Sequence, residues 1–230
     1  MTSDPAISAV AALDDPSRRG MYAYVRAARR PVTRDEAAAA VGISRKLAAF
    51  HLDKLVRAGL LRTTSGPAGD PPRVGRRPIA YQPTDAELTV SIPQRRHDML
   101  AEILADAILA EDGTTPARDA VRDVAYERGR AAGADERDRA RPGRLGAERA
   151  LTYAARVLAR HGFEPERPAP TCVRLRNCPF HPLAARSPEL VCALTHAYVG
   201  GVLDGLDASA VRAVAAPPSP GDCCVQLHGT

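Results

Sequence analysis

Residues 33–64 read TRDEAAAAVGISRKLAAFHLDKLVRAGLLRTT, and this stretch decides the fold of the first part of the chain. Thr33 and Glu36 have the spacing of a capping box, which predicts a helix that ends at Gly42. Ser44 is placed to cap a second helix directly afterwards. Two short helices joined by so tight a turn predict a helix-turn-helix, a motif that binds DNA.

The second helix is expected to have one buried and one exposed face. Its apolar residues recur on one side at helical spacing: Ala48, Leu52, Leu55 and Val56. In such motifs the second helix enters the major groove with its N-terminal residues at base edges, while later basic residues contact phosphates. The residues that this places at DNA are Ser44, Arg45, Lys46, Ala49, Phe50, Lys54 and Arg57. Guanine acceptors suit Arg45 or Lys46, and a thymine methyl suits Ala49 or Phe50.

An amphipathic helix with an ordinary solvated face is the alternative, and the residues that follow argue against it. Leu60–Thr64 reads as a strand and Pro78–Gln82 as its return. The loop between them carries Arg73, Arg76 and Arg77 among glycines and prolines. This order predicts a winged helix-turn-helix domain over residues 1–84.

The distribution of charge agrees with a nucleic-acid partner for that domain. Residues 1–83 hold 14 Lys and Arg against 7 Asp and Glu, a net charge of +7, and the whole chain carries +5. The basic excess therefore lies in the part of the chain where a phosphate backbone requires it.

Three motifs make this region similar to the ArsR-like winged helix regulators of bacteria. They are Asp15-Pro16-x-Arg18-Arg19, Phe50-His51-Leu52-x-x-Leu55-x-x-Ala58-Gly59-Leu60-Leu61, and Gly75-Arg76-Arg77-Pro78-x-x-Tyr81-x-x-Thr84. They resemble the family's opening helix, its recognition helix with the first wing strand, and the end of its wing. The resemblance implies a dimeric transcription factor that binds a double-stranded DNA operator.

Residues 85–230 predict a mixed helix and strand domain for sensing and dimerisation, so the expected fold class is α+β. Three helices are expected, at Ile92–Ala110, Ala117–Ala132 and Ala147–Arg160. The polar stretch Ala134–Gly146 is expected to be a surface loop or connector. The apolar stripe of the first helix could cap a core or form a dimer seam, and we favour the seam because two-fold operators require paired readers.

The N-terminus has no signal pattern, and the chain has no run of about 18 apolar residues. We therefore expect a soluble cytoplasmic protein without a membrane partner. Its five cysteines all follow residue 170, at Cys172, Cys178, Cys192, Cys223 and Cys224. Stable disulfides are not expected in that compartment, so the clustering favours a metal or redox site over simple buried thiols.

The surroundings of these cysteines suggest how they could meet. A strand at Thr171–Arg176 delivers Cys178 in a rigid turn, and a helix opening at Ser187 carries Cys192, where the helix dipole is expected to favour thiolate. Cys223 and Cys224 read as part of a terminal strand, so only one of them is expected to aim at the common point.

The fourth ligand and the metal remain open on this reasoning. The candidates are the other terminal cysteine, His181, His196, Asp222 or an external group. Zinc sites usually contain pairs of cysteines with two to four residues between them, and this chain has no such pair, since its closest cysteines, Cys223 and Cys224, are adjacent.

A second resemblance concerns the cysteine motifs. Leu175-x-Asn177-Cys178-Pro179-Phe180-His181-x-Leu183-Ala184, Glu189-Leu190-Val191-Cys192 and Pro220-Gly221-x-Cys223-Cys224-Val225 are similar to those of the SufR-type repressors. Members of that family bind an iron–sulfur cluster, so the resemblance implies a 4Fe–4S cluster in this protein. The resemblance implies a homodimeric repressor with Cys178, Cys192 and one of the terminal pair as ligands.

Two alternatives stay open beside it. One is a regulator with zinc, or with an apolar effector among the C-terminal helices. The other is a thiol-redox enzyme in which Cys223 and Cys224 act as nucleophile and resolver with His228 as base, although no thioredoxin-like motif accompanies them. We predict a regulator and not an enzyme.

Overall fold

The chain folds into two units, residues Met1–Val90 and Ser91–Thr230. A computed structural model of the protein describes residues 5–65, 79–110, 113–216 and 222–230. Both units combine helices with an antiparallel sheet, so the fold class is α+β as predicted. The boundary follows Val90, whereas the sequence placed it after Thr84.

The N-terminal unit contains the predicted winged helix-turn-helix. Its helices are α1 (Pro5–Ala12), α2 (Pro16–Ala28), α3 (Arg34–Val41) and α4 (Arg45–Arg57), and its strands are β1 (Val32–Thr33), β2 (Leu61–Ser65) and β3 (Ile79–Pro83). The strands form one antiparallel sheet in the order β1-β3-β2. Helix α1 was not predicted.

The helix ends are fixed by the caps that the sequence predicts. The Glu36 amide donates to the Thr33 hydroxyl, and the Glu36 carboxylate accepts from the Thr33 amide at 2.7 Å, which completes the capping box. Gly42 ends α3 in the left-handed conformation with φ 71°. Ser44 then caps α4 by accepting from the Leu47 amide. Both caps are therefore confirmed.

The core of this unit lies between α2, α4 and the sheet. Met21 and Val25 of α2, Leu52 and Leu55 of α4, and Tyr81 of β3 are all at most 1% exposed. These are the apolar positions that the helical and strand periodicities select. Their burial orients α4 and leaves its other face exposed.

The C-terminal unit contains five helices and a four-stranded sheet within the described residues. The helices are α5 (His97–Leu109), α6 (Ala117–Ala140), α7 (Ala147–Arg160), α8 (Leu183–Arg186) and α9 (Pro188–Gly205). The strands are β4 (Pro165–Ala169), β5 (Cys172–Leu175), β6 (Val211–Ala215) and β7 (Val225–Gly229), in the antiparallel order β4-β5-β7-β6. Helix α7 has the predicted bounds.

Helix α5 begins five residues later than predicted. The expected helix from Ile92 was wrong because the residue before a proline disfavours helical backbone, and Pro93 itself lacks an amide donor. The amide of Arg96 instead donates to the Pro179 carbonyl at 2.9 Å. A long-range contact thus sets the start of this helix. The apolar stripe of α5 packs into the core of the C-terminal unit, with Leu100, Ile103 and Ala107 at most 4% exposed, so the expected dimer seam was wrong.

Helix α6 extends through most of the stretch that was predicted as a loop. The prediction of a connector from Ala134 was wrong because the polar residues there are paired within the fold. Glu136 is buried and accepts from Arg139 at 2.9 Å and from Arg160 at 2.7 Å. Arg137 donates to the Leu206 carbonyl at 2.7 Å. The helix is therefore held by ion pairs and hydrogen bonds in addition to apolar packing.

Helices α6 and α9 cross in backbone contact through two pairs of glycines. A Cβ built at Gly129 or Gly133 would lie 2.0 or 2.3 Å from carbonyl oxygens of α9, and one at Gly201 or Gly205 would lie 2.1 Å from carbonyl oxygens of α6. Only glycine permits this approach. We did not predict the crossing, although glycines four residues apart occur in both helices. It fixes the axis of α9, which carries Cys192.

Candidate nucleic-acid interface and cysteine site

The outer face of α4 presents the residues predicted to contact DNA. Ser44, Arg45, Lys46, Phe50 and Arg57 are exposed, and Ala49 and Lys54 are half-buried. The opposite face is buried. The predicted wing arginines Arg73, Arg76 and Arg77 lie outside the described residues.

The contacts of the exposed side chains are weak enough to be exchanged for DNA. Arg45 pairs with Asp35 at 3.0 Å, but both side chains are more than 60% exposed, and such surface pairs contribute little stability. The Lys54 ammonium lies 4.5 Å from the centroid of the Phe50 ring. That cation–π contact positions both side chains on the surface.

Leu47 is a surface residue of α4 that we did not predict to contact DNA. Its side chain is 43% exposed and that of Phe50 is 49% exposed, so α4 presents two large apolar side chains to solvent. Apolar side chains at such positions can contact the thymine methyl group in the major groove. Helical spacing could have identified Leu47 as a surface residue, because it falls outside the buried stripe in the first turns of the helix.

The cysteine site of the C-terminal unit brings together thiols from three segments. Cys178 lies in the loop after β5, Cys192 is the fifth residue of α9, and Cys223 and Cys224 directly precede β7. The Cys178 thiol interacts with Cys223, Cys223 interacts with Cys224, and Cys224 interacts with Cys192. We call these four residues the thiol row.

The backbone around the terminal pair holds it against β5 and β6. The Cys223 amide donates to the Leu175 carbonyl at 2.7 Å, and the Cys224 carbonyl accepts from the Ala216 amide at 2.8 Å. Because β7 begins at Val225, the two cysteines lie outside the strand and strand alternation does not apply to them. The prediction that Cys223 and Cys224 belong to the terminal strand was therefore wrong, and which of them binds a metal stays a prediction.

Neighbouring thiols and burial set the proton affinities within the row. The Cys223 thiol lowers the pKa of Cys224 to about 6, with a further contribution from Cys192. The Cys223 thiol and the Phe180 amide likewise lower the pKa of Cys178. Burial, followed by the contact with Cys224, raises the pKa of Cys192 to about 12. Thiolate is thus favoured at Cys224, and the pKa of Cys178 lies below its ordinary value.

The expected preference of Cys192 for thiolate was wrong for a physical reason. The influence of the helix dipole fades beyond the first turn, and Cys192 follows that turn. Burial and the neighbouring Cys224 sulfur outweigh it. The thiol with the lowered pKa is instead that of Cys224, which contacts Cys192 from the segment before β7.

The remaining candidate ligands are engaged elsewhere or exposed. His196 places Nε2 3.2 Å from the Ala213 carbonyl oxygen, Asp222 pairs with Arg176 at 3.0 Å, and the His181 side chain is exposed. Cys172 lies apart from the row, with its sulfur 3.8 Å from Nε2 of His228. His228 therefore contacts Cys172, not the terminal pair that the enzyme alternative requires.

The donor set suits an iron–sulfur cluster in its chemistry. It consists of four thiols, and both 2Fe–2S and 4Fe–4S clusters are commonly held by four cysteine thiolates. Across the described ranges, no group of three or more His, Cys, Asp or Glu side chains is arranged to hold a metal ion. Cys178 also interacts electrostatically with Cys224 and with Cys192, so each of the four thiols lies near more than one other.

Two further residues beside Cys178 were not predicted. The Arg95 guanidinium donates to the Cys178 carbonyl at 3.0 Å, and it also donates to the side chain of Asn177. Only the tertiary fold brings Arg95 next to Cys178, so the sequence around Arg95 could not predict this contact.

Comparison with known proteins supports the assignment of the N-terminal unit. Residues 13–64 match a protein family described as a helix-turn-helix domain. This match covers α2 to β2 and supports an ArsR-like helix-turn-helix regulator. The chain is therefore placed among DNA-binding transcriptional regulators. No curated protein and no solved structure matches it significantly.

None of the helices within the described residues has the length and apolarity needed to cross a membrane.

Removal of the Lys46 ammonium should weaken DNA binding selectively. We expect Lys46→Ala to reduce affinity for an operator selected from random duplexes by about 1 to 3 kcal/mol, because Lys46 lies in the first turn of α4, the part that we predict to meet base edges. Fluorescence anisotropy at fixed salt measures the change. Arg212→Ala removes the same charge from an exposed position of β6 and serves as the control. Equal losses in the two variants would contradict the assignment of α4 as the reading helix.

Proposed function

We propose that the protein is a homodimeric repressor whose operator affinity depends on a 4Fe–4S cluster bound by Cys178, Cys192, Cys223 and Cys224. The thiol row is the observation that carries the proposal. It joins a loop, a helix and a terminal segment through side chains whose shared chemistry is soft metal ligation. The similarity of the cysteine motifs to SufR-type repressors supports the choice of iron–sulfur and of repression.

The residues around the row would hold such a cluster and tune it. When bound, the cluster supplies a redox-sensitive inorganic centre. The Phe180 amide points at the Cys178 sulfur, and hydrogen bonds to ligand sulfurs shift the reduction potential. Cys178 and Cys223 are buried, whereas Cys192 and Cys224 are partly exposed, so small oxidants could reach one side of the site.

Homodimer formation is supported by apolar side chains that this chain leaves exposed. Ile108 and Leu109, adjacent at the end of α5, are 70% and 84% exposed. Large apolar side chains grouped on a surface commonly mark a contact between proteins. A second copy would cover them and would pair two recognition helices for a two-fold operator.

Anaerobic purification followed by metal and sulfide analysis tests the cofactor. We expect a brown protein with broad visible absorbance and with about four iron and four sulfide per chain. Exposure to oxygen should bleach the absorbance and change operator affinity together. A colourless protein with stoichiometric zinc would overturn the iron–sulfur proposal and leave the assignment as a DNA-binding regulator intact.

A cavity in the C-terminal unit favours a second candidate, a regulator controlled by a small apolar effector. Its volume is about 630 Å³, within the usual range of ligand sites. The lining combines apolar side chains with a charged rim: Leu104, Ala107, Ile108, Val121, Pro188 and Leu190, with Arg118, Arg186 and Glu189. Operator affinity that depends on an added apolar compound and not on the four cysteines would favour this candidate.

A further inference from the structure

Residues 94–97 are bound to the loop that carries Cys178. We call them the docking segment, and we call residues 177–181 the cysteine loop. The Arg96 amide donates to the Pro179 carbonyl at 2.9 Å, and Nε2 of His97 lies 3.0 Å from the His181 carbonyl oxygen. Backbone and side-chain contacts thus join these four consecutive residues to four residues of the cysteine loop, more than 80 positions away.

Asn177 is the centre of this contact. It is 5% exposed, and its side-chain amide donates to the Gln94 carbonyl at 3.0 Å and to the Gly162 carbonyl at 2.8 Å. Its side-chain oxygen accepts from Arg95. Both the oxygen and the NH2 group of the side-chain amide are therefore hydrogen-bonded. The three partners fix the orientation of the Asn177 side chain. A buried amide that lost these partners would destabilise the loop.

Arg95 connects the same network to the metal-ligand position. Its guanidinium donates to Asn177 and to the Cys178 carbonyl, so one side chain binds two successive residues of the cysteine loop. Asn177 directly precedes Cys178, and its amide faces the docking segment. A displacement of Cys178 therefore strains or breaks the bonds to Arg95 and Gln94.

The docking segment also has a special place in the chain. The N-terminal unit ends at Val90, and the docking segment follows four residues later, before α5. It is the part of the C-terminal unit through which the chain continues into the DNA-binding unit.

We propose that Arg95 and Asn177 are positioning residues that couple the state of the thiol row to the DNA-binding unit. Ligation of Cys178 fixes the cysteine loop, and the Arg95 and Asn177 bonds then fix the docking segment. Loss of ligation leaves the loop free to move, and the docking segment is released with it. This inference rests on the proposed function, because it requires two states of Cys178.

The experiment compares Arg95→Ala with the unaltered protein in two states, anaerobic with metal and after metal removal. Operator affinity is measured in both states, along with iron content and hydrogen exchange at the Arg96 amide. The unaltered protein should show a ratio of affinities between the states of about 5 to 150, the usual range of such coupling. In Arg95→Ala the iron content should be retained while this ratio falls close to one. Exchange at the Arg96 amide should become insensitive to metal.

Controls separate coupling from a structural role. Arg149→Ala also removes a bond from an arginine to a carbonyl, that of Pro142, but away from the cysteine loop, and should keep the ratio. Arg95→Lys keeps the charge and should restore part of it. If Arg95→Ala fails to fold, Asn177→Asp provides the same comparison, because it keeps the acceptor for Arg95 and loses both donors.

The outcomes distinguish this inference from the function on which it rests. Equal changes of affinity in both states, with the ratio unchanged, would overturn the coupling and leave the cluster in place. An unaltered protein without iron would overturn both.

Discussion

Serine at position 178, 192, 223 or 224 abolishes the iron content and visible absorbance of the anaerobically purified protein, whereas serine at position 172 leaves both unchanged. This is the largest effect that we expect. A serine hydroxyl is a poor ligand for iron, and each of the four thiols interacts with at least one of the others. Cys172 is the matched control, because it is a cysteine of the same unit whose sulfur contacts His228 instead.

The terminal pair gives the sharpest comparison within this series. Strand alternation favoured one of Cys223 and Cys224 as a ligand and left the other as one of several candidates for the fourth position. If the fourth ligand were another candidate, one serine variant would keep its iron. The structure places both thiols in the row, and we expect both variants to lose it. Iron and sulfide analysis of the two variants decides between these expectations.

Two outcomes would contradict the ligand assignment. Full iron content in Cys178→Ser and Cys192→Ser would show that the metal is bound elsewhere. Loss of iron in Cys172→Ser would show that the effect of serine is a general disturbance of the unit. Circular dichroism of every variant confirms that each remains folded, so that loss of iron reports ligation.

Alanine at two adjacent glycines of α9 should change stability in opposite directions. At Gly201 a Cβ would lie 2.1 Å from the Tyr126 carbonyl oxygen and 2.8 Å from the Arg130 amide nitrogen. Both atoms belong to the backbone of α6 and cannot move aside as a side chain could. We expect Gly201→Ala to lower the free energy of unfolding of the C-terminal unit by about 1 to 3 kcal/mol or more, since overpacking has this cost.

Gly200 provides the control one residue earlier in the same helix. A Cβ there meets no atom within 4 Å, so Gly200→Ala adds only helix propensity. We expect a gain of up to about 1 kcal/mol. Urea denaturation followed by circular dichroism measures both variants. Similar stability of the two would contradict the close crossing of α6 and α9.

The helix-turn-helix could be predicted from the sequence because its signals are local. Thr33 and Glu36 satisfy each other's backbone within three residues, and Ser44 caps α4 across the same distance. The buried stripe of α4 follows from helical spacing alone. These features need no knowledge of the rest of the chain, and the structure confirms them.

In the C-terminal unit, only the elements whose signals are likewise local in the sequence could be predicted. The bounds of α7 and the start of α9 at Pro188 follow from local signals and are confirmed. The start of α5, the length of α6 and the helix crossing depend on partners such as Pro179, Arg160 and Tyr126. Those partners lie far away in the sequence, so local patterns could not reveal them.

The sequence by itself determined a winged DNA-binding domain and located the cysteines in three separate segments of the C-terminal unit. Only the tertiary structure decided that both terminal thiols join the row, that thiolate is favoured at Cys224 instead of Cys192, and that Arg95 binds the cysteine loop. The physical reason is that caps and periodic faces are satisfied by near neighbours in the chain. The proton affinity of a thiol and the partners of a buried amide are set by whichever distant segments pack around them.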